Sequence, residues 1–409
     1  MMQRPRPLLA RATDPVRLAL AVIILAALAL RLFGLNWDQG QYLHPDERYI
    51  VDYVMIGRIH LEWPLPLSDL LDPGVSGLNP RSNDPETGAP RSFAYGTLPL
   101  FVTEVAAEVM TRITGDDWHW RDRAYLIGRF FSALLDTGTV ILTFLIARGL
   151  ATKRVALLAA FVAAFAPLSI QLAHFFTTDS WLTFFVALCL LWSTKAATAG
   201  SRRWYAVAGA ALGLALATKG SVFALAAVLA VAILIAATRG WQRGASVTEA
   251  ITRIPERVAV AAIAALLAFA IFEPYALVHP GAYWTSFQEQ ADIHRGYIDV
   301  PYTRQYVGTM PVVYHVEQLV RWGFGPVAGV LALIGIVALF FRLTRRGAAA
   351  SLVLLTWLAV YAIVIFLTES KFIRYLAPLA PVLAITAGLA LDVVWRTVSR
   401  LAGRLTGAL

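Results

Sequence analysis

Residues 16–35 read VRLALAVIILAALALRLFGL, and a short polar step leads from them to Leu43-His44-Pro45-Asp46-Glu47-Arg48-Tyr49. The first stretch is apolar apart from Arg17 and Arg31. A helix rises about 1.5 Å per residue, so crossing a hydrocarbon layer of roughly 30 Å takes about 20 residues. The run has that length and reads as a membrane-spanning helix. It lacks a small-residue cleavage site, so it is expected to stay attached as an anchor. In the second stretch Pro45 suits the first turn of a helix, where acids are favoured by the helix dipole.

The apolar pattern recurs along the chain, at 125–147, 155–173, 176–192, 204–217, 221–237, 258–272, 327–341, 352–367 and 375–395. With the first run these predict an all-α integral membrane protein of about ten transmembrane helices, a single polytopic domain over 1–409. Hydrophobic residues make up 58% of the 409 and charged residues only 15%. One soluble core of this size does not cover that much apolar surface, which excludes a soluble helical protein. The single cysteine, Cys189, lies within an apolar run and permits no intrachain disulfide.

The formal net charge of +9 would suggest nucleic acid in a soluble protein. Its placement gives another cause. Arg4, Arg6, Arg11 and Arg17 stand at the amino end, and every second connection adds more: Arg148, Lys153 and Arg154; Lys195, Arg202 and Arg203; Arg239, Arg243, Arg253 and Arg257; Arg342, Arg345 and Arg346. Arg396, Arg400 and Arg404 close the chain. If the helices alternate, all of these fall on one side, which the positive-inside rule makes the cytoplasm. A multi-pass cell-membrane protein with both termini cytoplasmic follows, and no nucleic-acid partner is expected.

Both long polar intervals then face outward. The first, 36–123, contains Pro64, Pro66, Pro73, Pro80, Pro85 and Pro90. It reads as an irregular loop between juxtamembrane helices at 44–60 and 97–114. The second, 273–324, is rich in Tyr, His and Trp, which suit sugar rings and the membrane interface alike. His294 and Arg295 are its candidates for approaching a ligand.

Asp46 and Glu47 are the leading candidates for chemistry. At headgroup depth a carboxylate can take a proton from a hydroxyl while that oxygen attacks an activated carbon. The competing reading makes both merely favourable first-turn acids. A third, metal binding by His44, Asp46 and Glu47, is weaker, because one His and two adjacent acids are not a specific ligand set. No cofactor is expected; a divalent metal is allowed for but not expected. Asp179 stands between apolar runs, where an acid is functional by default unless a short turn simply exposes it to water. Outward-facing cations are rare in this pattern and therefore informative: Arg129, Lys219, Lys371 and Arg374, with Arg48 and Arg304 less so. They suit a phosphate and the charge that builds on a leaving oxygen. Snorkelling for Lys219, and an ion pair of Arg374 with Glu369, are the plainer explanations.

A first span followed by an outward Asp-Glu at the head of a juxtamembrane helix resembles the GT-C glycosyltransferases. Within them the chain is similar to the dolichyl-phosphate-mannose–protein mannosyltransferases and their bacterial relatives, glycosyltransferase family 39. Four more stretches agree: Gly128-Arg129-Phe130-Phe131-Ser132-Ala133-Leu134; His174-Phe175-Phe176-Thr177-Thr178-Asp179; Ala217-Thr218-Lys219-Gly220; and Lys371-Phe372-Ile373-Arg374-Tyr375-Leu376-Ala377-Pro378. The resemblance implies a GT-C fold and a sugar carried on a polyprenyl phosphate. It also implies direct transfer with inversion to a hydroxyl of a protein, lipid or glycan acceptor. Asp46 would be the base, Glu47 would orient it or bind the acceptor, and Asp179 would be the second acid. Arg129, Lys219, Lys371, Arg374, Arg48, His44 and Tyr375 would hold the lipid phosphate or the sugar. The chain has no room in 273–324 for the soluble lumenal domain of the eukaryotic mannosyltransferases. It also lacks the Trp-Trp-Asp signature of oligosaccharyltransferases, and its His44-Pro45-Asp46-Glu47 form is similar to glycosyltransferase family 22, which acts on glycans. Two other classes compete. A lipid or solute transporter would concentrate its ionisable residues near the bilayer midplane. A non-catalytic scaffold would have no need of Asp46, Glu47 and Asp179 together.

Overall fold

A computed structural model describes residues 14–59, 68, 71–344 and 347–406. Arg4, Arg6, Arg11, Arg345 and Arg346 lie outside the described residues, as do His60, Pro64 and Pro66 of the first loop and the side chain of Arg404.

The chain enters through α1 (Pro15–Leu32), whose Asp14 side chain caps Val16 N–H at 3.0 Å. Such a cap satisfies one of the four donors a helix start leaves open. In the first loop α2 begins at Pro45–Arg48, widens into a π-helical turn over Tyr49–Met55 and ends at Ile56–Arg58. Its apolar face, Ile50, Val51, Val54 and Met55, packs with Tyr42, Phe93, Leu100, Tyr125 and Phe176, while Tyr53 points away. The first loop is thus seated on the bundle by its own small core. The second helix of the loop, α3 (Leu98–Thr114), stops at Gly115 in the left-handed region, as helices commonly do.

Then come α4 (Arg121–Leu150), α5 (Lys153–Ala164), α6 (Pro167–Ala173), α7 (Thr178–Ala199), α8 (Arg202–Leu216), α9 (Leu225–Gln242) and α10 (Val247–Phe272). The second polar interval forms α11 (Pro280–Arg295) and shorter turns. The chain closes with α12 (Pro326–Phe340), α13 (Ala348–Phe366) and α14 (Ala380–Thr406), the last led in by a 3₁₀ turn over Ile373–Leu379. Among the described residues eight helices are long and apolar enough to cross a membrane, or nine if α5 and α6 are one span bent by 54°. The tenth expected run, 204–217, is α8, whose 15 residues fall short of a full crossing.

Close packing holds α8. A Cβ on Gly209 or Gly213 would come within 2.1 Å of Ala261 O or 2.2 Å of Ala265 O on α10. Only glycine lets the two backbones meet, the small-residue interface that replaces hydrophobic drive inside a bilayer. The α5–α6 break is held differently. Arg31, fully buried near the end of α1, pairs with buried Asp136 on α4 and donates to Ala164 O at 2.9 Å and Ala163 O at 3.3 Å. Those carbonyls lose helical partners at the break, and within a membrane a side chain must replace them.

Successive long helices run in opposite directions. At one end Arg342 donates to Leu150 O at 3.1 Å, Arg154 pairs with Asp392 at 3.7 Å and Arg202 pairs with Glu256. The opposite end carries the first loop, the α6–α7 and α8–α9 junctions, α11 and the 367–375 segment. Buried Glu273 ties this end together, taking Arg81 Nη1 at 2.7 Å and Thr97 N–H at 2.6 Å.

Candidate active site

Asp46 lies in the first turn of α2. Its Oδ2 stands 3.2 Å from Arg374 Nη2 and its Oδ1 3.3 Å, both side chains only partly exposed. The α7 amino end supplies Asp179, whose Oδ1 is 3.5 Å from Lys219 Nζ and whose Oδ2 is buried without a hydrogen bond. Lys219 comes from the α8–α9 junction. Gly96 fixes that junction against the first loop: its N–H donates to Thr218 O at 2.9 Å, and a Cβ there would reach Ala217 O at 1.9 Å. The Lys219 ammonium also lies 5.1 Å from the ring centre of Tyr375 and 5.5 Å from that of Tyr95, cation–π distances.

Four sequence-distant pieces therefore meet: α2 with Asp46, the α7 start with Asp179, the α8–α9 junction with Lys219, and the 3₁₀ turn with Arg374 and Tyr375. His294, at the end of α11, closes the group with its ring 5.3 Å from that of Tyr375. Burial lowers its pKa to about 4, and the cations Lys219 and Arg374 add to the effect, so the imidazole is neutral near pH 7. Its backbone carbonyl accepts Glu369 N–H at 2.8 Å, tying α11 to the segment that carries Lys371 and Arg374. Burial, with Asp46 nearby, raises Tyr95 well above its ordinary value, and its hydroxyl keeps its proton.

The remaining predicted residues divide by what they touch. Glu47 is fully buried and faces away from this group. Its carboxylate takes Arg129 Nε at 2.8 Å, Arg129 Nη2 at 2.7 Å and Phe176 N–H at 2.7 Å. Arg129 completes its set on Asp38 at 2.8 and 2.9 Å and on Leu35 O at 2.9 Å. Burial alone would raise the Asp38 pKa, but the Arg129 guanidinium and two backbone N–H groups outweigh it and hold the carboxyl low. Arg129 thus has no donor left over for a phosphate. Arg48 is likewise engaged, giving Nε and Nη2 to Tyr42 O at 3.3 and 3.1 Å. His44 caps α2, accepting Asp46 N–H on Nδ1 at 3.2 Å with its ring 4.6 Å from that of Phe175. Burial lowers its pKa, which keeps that nitrogen an acceptor. Lys371 is buried and donates to Glu369 O at 3.2 Å. The alternative Arg374–Glu369 pair is not formed: Glu369 stands beside Lys371 at 3.6 Å, and Arg374 turns to Asp46. Arg304 pairs with Asp299 at the surface at 2.7 Å. Among the described residues no three His, Cys, Asp or Glu side chains converge as metal ligands, and His44, Asp46 and Glu47 point to different partners.

The sequence profile described as "PMT: Dolichyl-phosphate-mannose-protein mannosyltransferase" matches residues 18–278, well over half the chain. The chain belongs to this family. Its mannosyltransferase profile spans α1 to the start of the second loop, and so covers Asp46, Asp179 and Lys219 but not Lys371 or Arg374. A comparison with curated proteins found no match. Among solved structures, the chain is similar to the archaeal oligosaccharyltransferase AglB from Archaeoglobus fulgidus, in complex with an inhibitory peptide and a dolichol-phosphate. The identity is 16%, with 97% of this chain and 52% of that one covered, and the TM-score is 0.55. It is also similar to ArnT from Cupriavidus metallidurans bound to undecaprenyl phosphate, at 19% identity, 93% and 60% coverage and a TM-score of 0.58. These likenesses establish the GT-C membrane fold for the mannosyltransferase-family chain. It spans about half to three fifths of the length of the solved chains it matches.

Asp38 and Tyr95 were not among the expected site residues. Asp38 had a usable signal, an acid on the same side of the first span as Glu47. Tyr95 had none, because its place depends on how the first loop folds back onto α8.

Proposed function

We propose that the chain moves a sugar, hexose or pentose, from a polyprenyl-phosphate donor to an acceptor hydroxyl at the extracytoplasmic face, with Asp46 as general base. The observation that carries this reading is the Asp46–Arg374 pair at 3.2 Å, grouped with Asp179, Lys219 and Tyr375 at one end of the bundle. The pair supplies the two groups such a transfer uses once a phosphate has drawn Arg374 off Asp46: a carboxylate to accept the hydroxyl proton and a cation to stabilise charge on the leaving oxygen. Membership of a family described by lipid-phosphate sugar donors supports the donor class. So do the dolichol-phosphate and undecaprenyl phosphate named for AglB and ArnT.

Before the donor arrives, Arg374 neutralises Asp46. The donor phosphate, which Lys371 also binds, competes for Arg374 and draws the guanidinium onto its own oxygens, a stronger acceptor set than one carboxylate. Asp46 is then free to accept the proton of the acceptor hydroxyl. That oxygen forms the new bond to the anomeric carbon as the bond from carbon to phosphate oxygen breaks. The electron pair leaves with the polyprenyl phosphate, whose charge Arg374 and Lys371 hold. Asp179 keeps Lys219 beside Tyr375, and the two aromatic rings and neutral His294 offer faces and hydrogen bonds to a sugar. The acceptor is a protein, a lipid or a glycan carrying the hydroxyl. The basic connections at the opposite end support placing both termini in the cytoplasm and this site outside.

The test is purified protein in proteoliposomes with polyprenyl-phosphate mannose and a native membrane extract as the source of acceptor, following release of polyprenyl phosphate, the product common to every acceptor. Asp46→Asn keeps the shape and removes the base; general-base catalysis supplies roughly 10²–10⁴-fold, and turnover should fall by that order. Near-parental turnover of a well-folded variant would overturn the assignment.

A further inference from the structure

His315 lies in the second loop, on a short helix packed against the 3₁₀ turn that follows Lys371, and has no role in the reading above. It lies on the short helix Val313–Gln318 and is 1% exposed, with its ring 5.1 Å from that of Phe366. Neither of its ring nitrogens has a hydrogen-bond partner in the protein. Ser370, next to Lys371 and fully buried, has an unpartnered hydroxyl, and Arg374 Nε is also unpartnered. A side-chain donor buried without a partner costs about 1–3 kcal/mol, and most buried polar groups avoid it. Several such groups, on the segment that carries the buried Lys371 and on the helix packed against it, require a cause other than packing.

Their chemistry is of one kind. Lys371 has N–H groups beyond the one given to Glu369 O, Ser370 has a hydroxyl, and a neutral imidazole has one N–H. Burial and then Lys371 hold His315 at a pKa of about 4, so it is neutral near pH 7. A third full cation would be repelled here, whereas a neutral donor is not. Each of these groups can turn a donor toward one point beside a cation, which fits an acceptor-only anion. The helix is open to its surroundings on its other side, where Val313, two residues before His315, is 56% exposed.

We infer that His315, with Ser370, completes an anion subsite centred on Lys371, the imidazole N–H donating to the phosphate of the polyprenyl-phosphate donor. This rests on the reading of Lys371 and Arg374 as the phosphate site. It adds a residue that distinguishes a phosphorylated lipid from the corresponding alcohol.

The experiment measures binding of a polyprenyl monophosphate, and of the polyprenol of equal length, to purified full-length chain in detergent micelles by native mass spectrometry. His315→Phe keeps a ring against Phe366 and removes the donor. His315→Gln keeps a donor without the ring. His315→Phe should weaken monophosphate binding roughly tenfold or more, as for one hydrogen bond to a charged group. It should leave polyprenol binding and the melting temperature unchanged, and His315→Gln should restore most of the loss. If Lys371→Ala weakens monophosphate binding and His315→Phe does not, the inference is overturned and the phosphate site stands. If His315→Phe weakens both ligands alike, the residue is a packing element and the inference is overturned. If the parent fails to distinguish monophosphate from polyprenol and Lys371→Ala changes nothing, the phosphate site itself is wrong and the inference goes with it.

Discussion

Arg129 donates every N–H it has, to two buried carboxylates and a carbonyl. Arg374 instead holds one partly exposed carboxylate at 3.2 Å and keeps Nε unpartnered. The two therefore differ in what their loss does. Arg129→Met strands Asp38 and Glu47 without their counter-charge, and breaking a buried ionic group in this way costs about 3–5 kcal/mol. Arg374→Ala frees a carboxylate that already meets water. The expected outcome is a clear drop in melting temperature for Arg129→Met in detergent and little change for Arg374→Ala. Polyprenyl monophosphate binding should be lost in Arg374→Ala. A melting temperature preserved in Arg129→Met would contradict the clamp. In sequence both arginines are outward cations beside apolar runs, and nothing local separates them. The partner that decides each one, Glu47 or Asp46, is set by the single helical step between two adjacent acids on α2, and that step was not legible without the fold.

Elements carry the site through their junctions. The α8–α9 turn presents Lys219, and its position is set by the first loop, because Gly96 N–H and Leu98 N–H bond to Thr218 O and Ala217 O at 2.9 and 3.1 Å. Gly96→Ala would place a methyl 1.9 Å from Ala217 O, so the two strands of chain must part and Lys219 must shift from Asp179. Well over a tenfold loss of transfer is expected, since displacements of about 1 Å at a reacting site cost that much. The helical bundle should remain, as read by circular dichroism. Wild-type transfer by Gly96→Ala would mean that the junction tolerates movement. The helices themselves were legible: the apolar runs map onto α1, α4–α10 and α12–α14, and 97–114 onto α3, because length and hydropathy suffice. The breaks were less so. The bend between α5 and α6 depends on Pro167 and on carbonyls that Arg31 meets from another helix, and the π-turn of α2 lies where its apolar face packs with Phe93 and Phe176. Both are long-range effects that periodicity does not encode.

Across the whole molecule, the basic connections gather at one end and Asp46, Asp179, Lys219, Lys371 and Arg374 at the other, as alternation of the spans implies. The candidate site was visible in the sequence only as a set of residue types on one side; which of them touch was not, because Asp46 and Arg374 are brought together by elements far apart in the chain. The same separation of charge fixes the orientation to be tested. Glu86 is exposed in the first loop and Thr198 is exposed at the opposite end, before α8. The natural Cys189 is buried, so Glu86→Cys and Thr198→Cys each add one reactive thiol. A membrane-impermeant maleimide applied to intact spheroplasts should label Glu86→Cys at once and Thr198→Cys only after lysis. The charge bias acts during insertion and orients all spans together, so both positions should report the same answer. The reverse pattern would put the site in the cytoplasm and remove the outward acceptor from the proposed reaction, while leaving the Asp46–Arg374 chemistry to be tested on its own.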